Sequence, residues 1–176
     1  MSVKNPIKRL LMTLTQGVYV VGVGKDGLRD AFTASSVMQV SMQPLMLALA
    51  VNPANASYPL LAAGGVFAVS VLHSNQSALA DFFGNRSARD EDKLNAVPWH
   101  AAPSGSPTLD EGLSYFDCRV VASHPAGDHV VVVAELTGGA FLQEHGRPLR
   151  YEELGNMDGS DELLPDHLGT SGGEPL

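Results

Sequence analysis

The stretch that decides the fold covers residues 18–51 and reads VYVVGVGKDGLRDAFTASSVMQVSMQPLMLALAV. Residues 18–23 are rich in valine and predict a strand, and residues 29–40 predict a second one. The Asp-Gly pair at 26–27, which separates them, is typical of a two-residue hairpin turn. Since residues 45–51 form a third apolar run, the stretch predicts successive antiparallel strands.

The segments on either side continue this pattern. Apolar residues at helical spacing follow Asn5 and Pro6 and predict a helix over 7–15, because Asn caps helices and Pro favours their first turn. The other expected elements are a short helix within 52–65 that ends at glycine, a strand at 67–72, a helix over 75–83, a polar loop over 84–106, strands over 113–123 and 129–142, and a short strand at 149–152. Six or more strands with hairpin connections predict a mainly β protein, a closed or nearly closed antiparallel barrel.

Charge is unevenly distributed along the 176 residues, a length typical of one domain. Residues 1–150 carry all 11 basic residues and 12 acidic ones, whereas residues 151–176 carry seven acidic residues and no basic one. Binding to phosphates requires clustered Lys and Arg side chains. The absence of a basic patch in residues 1–150 therefore argues against a nucleic-acid partner. The glycine-containing acidic end predicts a mobile or partner-dependent extension over 153–176, after a domain over 1–152.

The single cysteine, Cys118, excludes an internal disulfide and fits a reducing compartment, so we expect a cytoplasmic protein. Residues 1–16 lack the apolar core of an export signal. Residues 31–80 contain no Asp, Glu, Lys or Arg, but their apolar runs are far shorter than the ~20 residues of a membrane span. Two interpretations of this uncharged stretch stay open: a set of core strands, or a wall against which a flat, uncharged ligand lies.

Residues 22–27 match the G-x-G-x-x-G pattern but predict no dinucleotide-binding fold. That fingerprint must open a helix, whereas a hairpin turn and a strand are expected at this position. The six histidines show no spacing typical of metal ligands, and Cys118 within a strand predicts an inert, buried thiol. No G-x-S-x-G elbow is present, so hydrolase chemistry is not predicted.

Two groups of small residues are candidates for binding a ligand. The first group lies in the second predicted strand and consists of Thr33, Ala34, Ser35 and Ser36. Its hydroxyls can meet carbonyl and hydroxyl groups, and its alanine permits close approach to the backbone. The second group precedes the short helix and consists of Asn52, Asn55 and Ser57. The N–H groups of a helix start favour an anion such as phosphate, although both groups are also compatible with ordinary turns.

Six motifs in this order resemble the flavin reductase-like family, whose members bind flavin on a split β-barrel. They comprise residues 17–23, residues 32–36 with 40–44, residues 47–53 with 57–61, residues 67–72 with 76–83, residues 127–129, and residues 148–151. The resemblance covers about residues 7–152 and implies an antiparallel split β-barrel with Greek-key features and a few short flanking helices. The chain departs from the family where Gln43 and Pro44 stand in place of a double proline.

The resemblance implies a homodimer with one flavin, FMN or FAD, in a groove of each subunit. The residues carried over as flavin contacts are Thr33, Ala34, Ser35 and Ser36 for the ribityl chain and ring, Val51 and Asn52 as backbone beside the ring, Ser57 and Arg86 on the phosphate side, and Phe83 as a further cofactor-binding residue. Arg89 and Lys93 compete with Arg86 for the phosphate. His129 is carried over as the residue near the ring where nicotinamide docks, and the alternative is a turn residue that starts a strand.

The function that the resemblance implies is reduction of a flavin by NADH or NADPH, with the reduced flavin supplied to a flavin-dependent monooxygenase. The alternatives are an electron-transfer flavoprotein that retains its FMN and a family member that has lost flavin binding. The acidic extension is expected to cover the groove of the neighbouring subunit or to remain solvated.

Overall fold

The computed structural model describes residues 3–86 and 92–165, and antiparallel strands dominate it. In chain order its elements are α1 (Pro6–Leu11), β1 (Tyr19–Lys25), β2 (Leu28–Ala34), β3 (Val37–Met42), β4 (Leu45–Val51), α2 (Tyr58–Gly64), β5 (Val66–Val71), α3 (Ser77–Asn85), β6 (Trp99–Ala101), β7 (Pro107–Leu109), β8 (Ser114–Ala126) and β9 (His129–Phe141). Short 3-10 helices lie at Lys93–Ala96, Tyr151–Leu154 and Ser160–Glu162. Within the two described ranges, no helix is both long and apolar enough to cross a membrane.

The hairpin predicted around Asp26 and Gly27 is confirmed, since β1 and β2 pair on either side of these residues. Asp26 and Gly27 adopt positive φ angles of 52° and 82°, which is the backbone of a type I′ turn. Gly22 lies within β1, where a Cβ would fall 1.9 Å from the carbonyl oxygen of Pro107. The glycines of the G-x-G-x-x-G pattern therefore serve a turn and close packing, and a strand follows them.

The prediction of one strand over 29–40 is wrong, because the structure divides this segment into β2 and β3 at Ser35 and Ser36. β2 pairs with β1, whereas β3 pairs with β4. The amide of Val37 donates to the Ser35 carbonyl and the amide of Ala50 donates to the Ser36 carbonyl, each at 3.0 Å. The two serines thus carry the chain from one pairing partner to another.

The main sheet has seven strands in the order β2-β1-β5-β8-β9-β4-β3. Its two edge strands, β2 and β3, do not pair with each other, so the expectation of a closed barrel is wrong and that of a split one is confirmed. Phe32 of β2 and Leu49 of β4 share one buried core, which means that the sheet wraps around a common interior. The connection from β4 to β5 passes β8 and β9, as in Greek-key topologies.

The uncharged stretch at 31–80 supplies much of this core, which confirms the interpretation as core strands. The third apolar run forms β4 with the predicted bounds. The short helix α2 ends at Gly64 and is capped by Gly65, whose φ of 66° suits glycine. The predicted polar loop over 84–106 is wrong in part, because Trp99–Ala101 is β6 and pairs with β7.

Two predicted ends also differ from the structure. The side chain of Asn5 caps α1 by accepting from the amides of Ile7 and Lys8 at 2.8 and 3.1 Å, but the helix ends at Leu11 instead of residue 15. The strand expected at 149–152 is wrong, since Arg150 makes an isolated bridge and a 3-10 helix follows. The Glu153 carboxylate accepts from the Arg150 amide at 3.0 Å and so favours that helix.

Residues 151–165, which we call the C-terminal segment, lie against α1. The ammonium of Lys8 lies 2.7 Å from the Asp158 carboxylate, and the side-chain amide of Asn5 donates to the carbonyl of Leu164 at 3.1 Å. The rest of the predicted extension, residues 166–176, lies outside the described residues. The described part of the extension therefore packs on the body of the protein.

Candidate functional site

A cavity of about 160 Å³ lies beside the end of β2, and we call it the strand-end cavity. It is lined by Val18, Thr33, Ala34, Ser35, Ala80, Asp81, Gly84, Asn85, Tyr151, Leu154, Met157 and Asp158. Three of the four residues predicted to contact the ribityl chain and ring thus share one cavity with α3 and the C-terminal segment. The hydroxyl of Thr33 donates to the carbonyl of Ala80 at 2.7 Å, and this bond joins β2 to α3.

A second cavity, of about 220 Å³, adjoins the first, and we call it the cation cavity. It is lined by Phe32, Asn55, Ala56, Ser57, Phe83, Gly84, Asn85, Arg86 and Lys93. Gly84 and Asn85 line both cavities, so the two form neighbouring parts of one surface. Guanidinium, ammonium and amide groups are the donors that bind phosphate in proteins, and this donor set fits the phosphate end of a flavin nucleotide.

The structure brings Ser57, Phe83 and Arg86 together at the cation cavity, as the resemblance implies. Ser57 is buried, and its hydroxyl donates to the Asp30 carboxylate. Phe83 is a core residue, and Arg86 is exposed with its guanidinium 4.8 Å from the centre of the Phe82 ring. Of the competing cations, Lys93 lines the cavity and Arg89 lies outside the described residues.

Four predicted residues line neither cavity: Ser36, Val51, Asn52 and His129. Strand pairing nevertheless places them at one end of the sheet. Val51 pairs with Val130, so Asn52, which follows β4, lies next to His129, which starts β9. Ser36 lies at the same end, because its carbonyl accepts a hydrogen bond from the amide of Ala50. The side chain of Val51 is buried in the core, which leaves its backbone as the part available to a ligand.

His129 is the first residue of β9, directly after the turn at Gly127 and Asp128, and its side chain is partly exposed. Its Nδ1 lies 2.8 Å from the carboxylate of Asp128. This hydrogen bond to His129 lowers the pKa of Asp128, so the neighbouring carboxylate stays ionised and orients the imidazole ring. Both the turn interpretation and the nicotinamide interpretation of His129 are compatible with this position.

Sequence reasoning missed the part of the site that the C-terminal segment supplies. Tyr151, Leu154, Met157 and Asp158 line the strand-end cavity, and the side chain of Asn85 donates to the carbonyl of Met157 at 3.0 Å. No sequence pattern links residues 151–158 to α3. Asp30 was also missed, although it and Asp81 are the two carboxylates that bound the uncharged stretch. Asp81 lines the strand-end cavity, and Asp30 accepts a hydrogen bond from Ser57, which lines the cation cavity.

Other reactive groups lie apart from these cavities. Burial raises the pKa of the Cys118 thiol to about 12, which keeps it protonated and inert. Across residues 3–86 and 92–165, no group of three or more His, Cys, Asp or Glu side chains is placed to hold a metal ion.

The split, mainly β sheet with two adjoining cavities, one of them lined by Arg86 and Lys93, defines a β protein with a site suited to an anionic ligand. More specifically, the chain belongs to the family of the flavin reductase-like domain, whose sequence model matches residues 11–158. This match extends beyond the domain boundary expected at residue 152.

Two curated relatives carry the name FMN reductase (NADH) RutF. The protein from Variovorax paradoxus is 34% identical over 86% of this chain and 86% of its own length. The protein from Methylorubrum extorquens strain DSM 6343 is 34% identical over 71% of this chain and 60% of its own length. The chain thus spans about three fifths of the second relative.

Solved structures share the fold. The NADH:FAD oxidoreductase SgcE6 from Streptomyces globisporus has a TM-score of 0.76 and 25% identity, and the match covers 82% of this chain and 85% of that one. BorF, the flavin reductase component of a bacterial two-component tryptophan halogenase, has a TM-score of 0.73 and 30% identity, with 82% and 91% covered.

Proposed function

We propose that the protein is an NAD(P)H-dependent flavin reductase that transfers hydride from a nicotinamide to FMN or FAD. The observation that carries the proposal is the pair of adjoining cavities, one bearing cations and the other bounded by the hydroxyl-rich end of β2. A flavin nucleotide needs both environments, because its phosphate is anionic and its ribityl chain and ring are neutral. The names of the relatives agree with this activity.

Different residues of the site contact different parts of the flavin nucleotide. Arg86, Lys93 and Asn55 hold the phosphate end, and the end of β2 from Thr33 to Ser36 contacts the ribityl chain and ring. The backbone at Val51 and Asn52 flanks the ring.

When bound, the flavin supplies the redox chemistry by accepting hydride from NAD(P)H. The protein binds, orients and shields the two nucleotides, so the reaction requires no protein nucleophile. His129 lies at the end of the sheet that carries Asn52 and Ser36, and we assign it to the nicotinamide side. Its hydrogen bond to Asp128 fixes the ring orientation, which suits a residue that positions a second nucleotide.

The proposed working form is a homodimer. Met38, Val40 and Met42 expose apolar side chains on β3, and the adjacent Leu45 of β4 is also exposed. β3 is an edge strand, and a row of exposed apolar residues on such an edge is typical of an interface. A second copy of this chain covers them and brings two sites close to one interface, because Ser35 and Ser36 lead directly into β3.

The proposed partner is a flavin-dependent monooxygenase that consumes the reduced flavin. BorF, as a reductase component of a two-component system, supports this role. The proposed location is the cytoplasm, where NAD(P)H is supplied and a buried, reduced Cys118 is stable.

The test is NADH and NADPH oxidation by the purified full chain with FMN, FAD and no flavin. The expected result is oxidation that depends on added flavin, with release of the flavin on dilution and gel filtration. Oxidation at the flavin-free rate with both nucleotides would refute the proposal. A protein that stays yellow through dilution and passes electrons to a protein acceptor would indicate the FMN-retaining carrier instead.

A further inference from the structure

Three buried polar side chains form a cluster at the cation cavity. Asp30, Lys93 and Ser57 expose 9%, 3% and 2% of their surface. The Ser57 hydroxyl donates to one carboxylate oxygen of Asp30, and the ammonium of Lys93 lies 3.8 Å from the other. Three separate elements are joined in this way: β2, the start of α2, and the 3-10 helix at Lys93–Ala96.

The arrangement places the carboxylate behind the groups that face the ligand. Lys93 and Ser57 line the cation cavity, whereas Asp30 holds both of them from the side of β2. The Lys93 ammonium also lies 3.4 Å from the carbonyl of Phe83. A buried ammonium held at fixed positions acts on a phosphate more strongly than an exposed guanidinium such as that of Arg86, because water screens the exposed charge.

Burying a charged pair is costly, and well-packed apolar residues of similar size often serve stability as well. The cluster is therefore poorly explained by stability alone. Its position at the cavity gives it a use, since a fixed cation distinguishes a flavin that carries a phosphate from one that does not. Among the described residues, Ser57 and Lys93 are the buried polar side chains that line this cavity, and the Ser57 hydroxyl donates to Asp30.

The geometry points to Asp30 as a positioning residue that, by holding Lys93 and Ser57 in place, sets the preference of the site for phosphorylated flavins over riboflavin. This inference rests on the proposed function for the placement of the flavin phosphate. Asp30 does not contact the ligand and acts through Lys93. The reacting ring lies at the other part of the site, so Asp30 affects flavin affinity and leaves the rate of hydride transfer unchanged.

The test compares FMN and riboflavin, which differ by the phosphate. Dissociation constants are measured from the quenching of flavin fluorescence, and kcat and KM from NADH oxidation, for the wild type and Asp30→Asn. The variant is expected to weaken FMN binding about tenfold, equivalent to about 1.4 kcal/mol, and to change riboflavin binding less than about twofold. The matched control is Glu135→Gln. Glu135 of β9 forms a surface ion pair with Arg119 of β8, and its substitution is expected to change neither dissociation constant.

The inference would be overturned if Asp30→Asn weakened the binding of FMN and riboflavin equally, or changed neither. Tighter FMN binding would also overturn it, because Asp30 would then repel the phosphate. If Asp30→Asn does not fold, two other variants take its place: Lys93→Met alone, and Lys93→Met combined with Asp30→Asn. The double variant removes both charges of the Asp30–Lys93 pair together. Lys93→Met is expected to lose the preference for FMN, and the second change is expected to add nothing. An unchanged preference in Lys93→Met would overturn the inference.

If the wild type binds FMN but oxidises no NADH, the proposed function fails, while the ratio of the FMN and riboflavin dissociation constants still decides the role of Asp30.

Discussion

Lys8 of the first helix and Asp158 of the C-terminal segment form an ion pair at 2.7 Å, although 150 residues separate them in the chain. Lys8 is almost fully buried, whereas the side chain of Asp158 keeps 40% of its surface exposed. The Tyr151 hydroxyl also donates to Asp158, and both Tyr151 and Asp158 line the strand-end cavity. The pair therefore anchors one wall of the proposed flavin site to α1.

The two halves of this pair are expected to respond differently to substitution. Asp158→Asn leaves the buried ammonium of Lys8 without its counter-ion and should lower the free energy of unfolding by about 2 kcal/mol, below the value for fully buried pairs because water reaches Asp158. Lys8→Met removes the buried charge itself and should lower it by less than about 1 kcal/mol. Urea unfolding measures both, and Glu162→Gln, an exposed acid of the same segment, is the control. The opposite order of the two effects would contradict the anchoring role.

Acid should release the C-terminal segment before it unfolds the sheet. The bidentate contact with Arg147 holds the pKa of Glu153 at about 2, well below its ordinary value. Burial alone would raise the pKa of Asp158, but hydrogen bonds from Lys8, Tyr151 and Ser160 outweigh it and lower the pKa. Carboxyls with lowered pKa values stabilise the folded state above their ordinary pKa of about 4, and this stabilisation is lost as the pH falls towards 2.

Hydrogen exchange followed by mass spectrometry between about pH 5 and about pH 2.5 measures this release, after correction for the intrinsic exchange rate, because the stabilisation from these carboxyls is lost over that range. Protection of 151–165 should fall before that of β5 and β8. Glu153→Gln should remove part of the pH dependence. Simultaneous loss of protection in segment and sheet would contradict the prediction.

Two glycines of the first hairpin should differ in their tolerance to alanine. A Cβ at Gly22 would lie 1.9 Å from the Pro107 carbonyl oxygen, whereas a Cβ at Gly27 meets nothing within 4 Å. Gly22→Ala forces backbone apart and should cost about 3 kcal/mol, while Gly27→Ala carries only the strain of a positive φ, about 1 kcal/mol. Chemical denaturation of both variants measures the difference, and equal losses would show that β1 and β7 can move apart freely.

Local signals account for the parts of the fold that the sequence predicts well. Asp26 with Gly27, the Asn5 cap and the glycine after α2 each act within a few residues, so their effects can be seen in the sequence. The division at Ser35 and Ser36 depends on β2 and β3 choosing different partners, which is a tertiary effect. A continuous strand-like sequence carries no sign of that choice.

The candidate site also combines residues that the sequence identifies with residues that only tertiary contacts bring in. The family motifs identify Thr33, Ala34 and Ser35, and the structure places them in one cavity. Met157 reaches that cavity only because the C-terminal segment packs on α1 and α3. Asp30 reaches Ser57 only because α2 packs against β1 and β2. Such long-range contacts leave no periodic pattern in a single sequence.

The assignment of His129 predicts an effect on one nucleotide only. His129→Ala should raise the KM for NADH about fivefold, because an oriented contact is lost, and change the KM for FMN less than about twofold. Initial rates with each nucleotide varied in turn measure the two constants. His145→Ala, which removes an exposed histidine from the loop after β9, is the control. An unchanged KM for NADH would leave His129 with the role of a turn residue.

The homodimer proposal can be tested at the most exposed residue of the β3 edge. Met42 exposes 85% of its surface and Leu28, at the hairpin turn, exposes 70%, so the two offer a matched pair of apolar surface positions. Met42→Asp places a charge in the proposed interface and should yield a monomer, whereas Leu28→Asp should leave a dimer, as measured by light scattering after gel filtration. Because Ser35 and Ser36 lead into β3, the monomeric variant should also bind FMN more weakly. A wild-type chain that is monomeric at all accessible concentrations would refute the dimer, and a dimer that survives Met42→Asp would place the interface elsewhere.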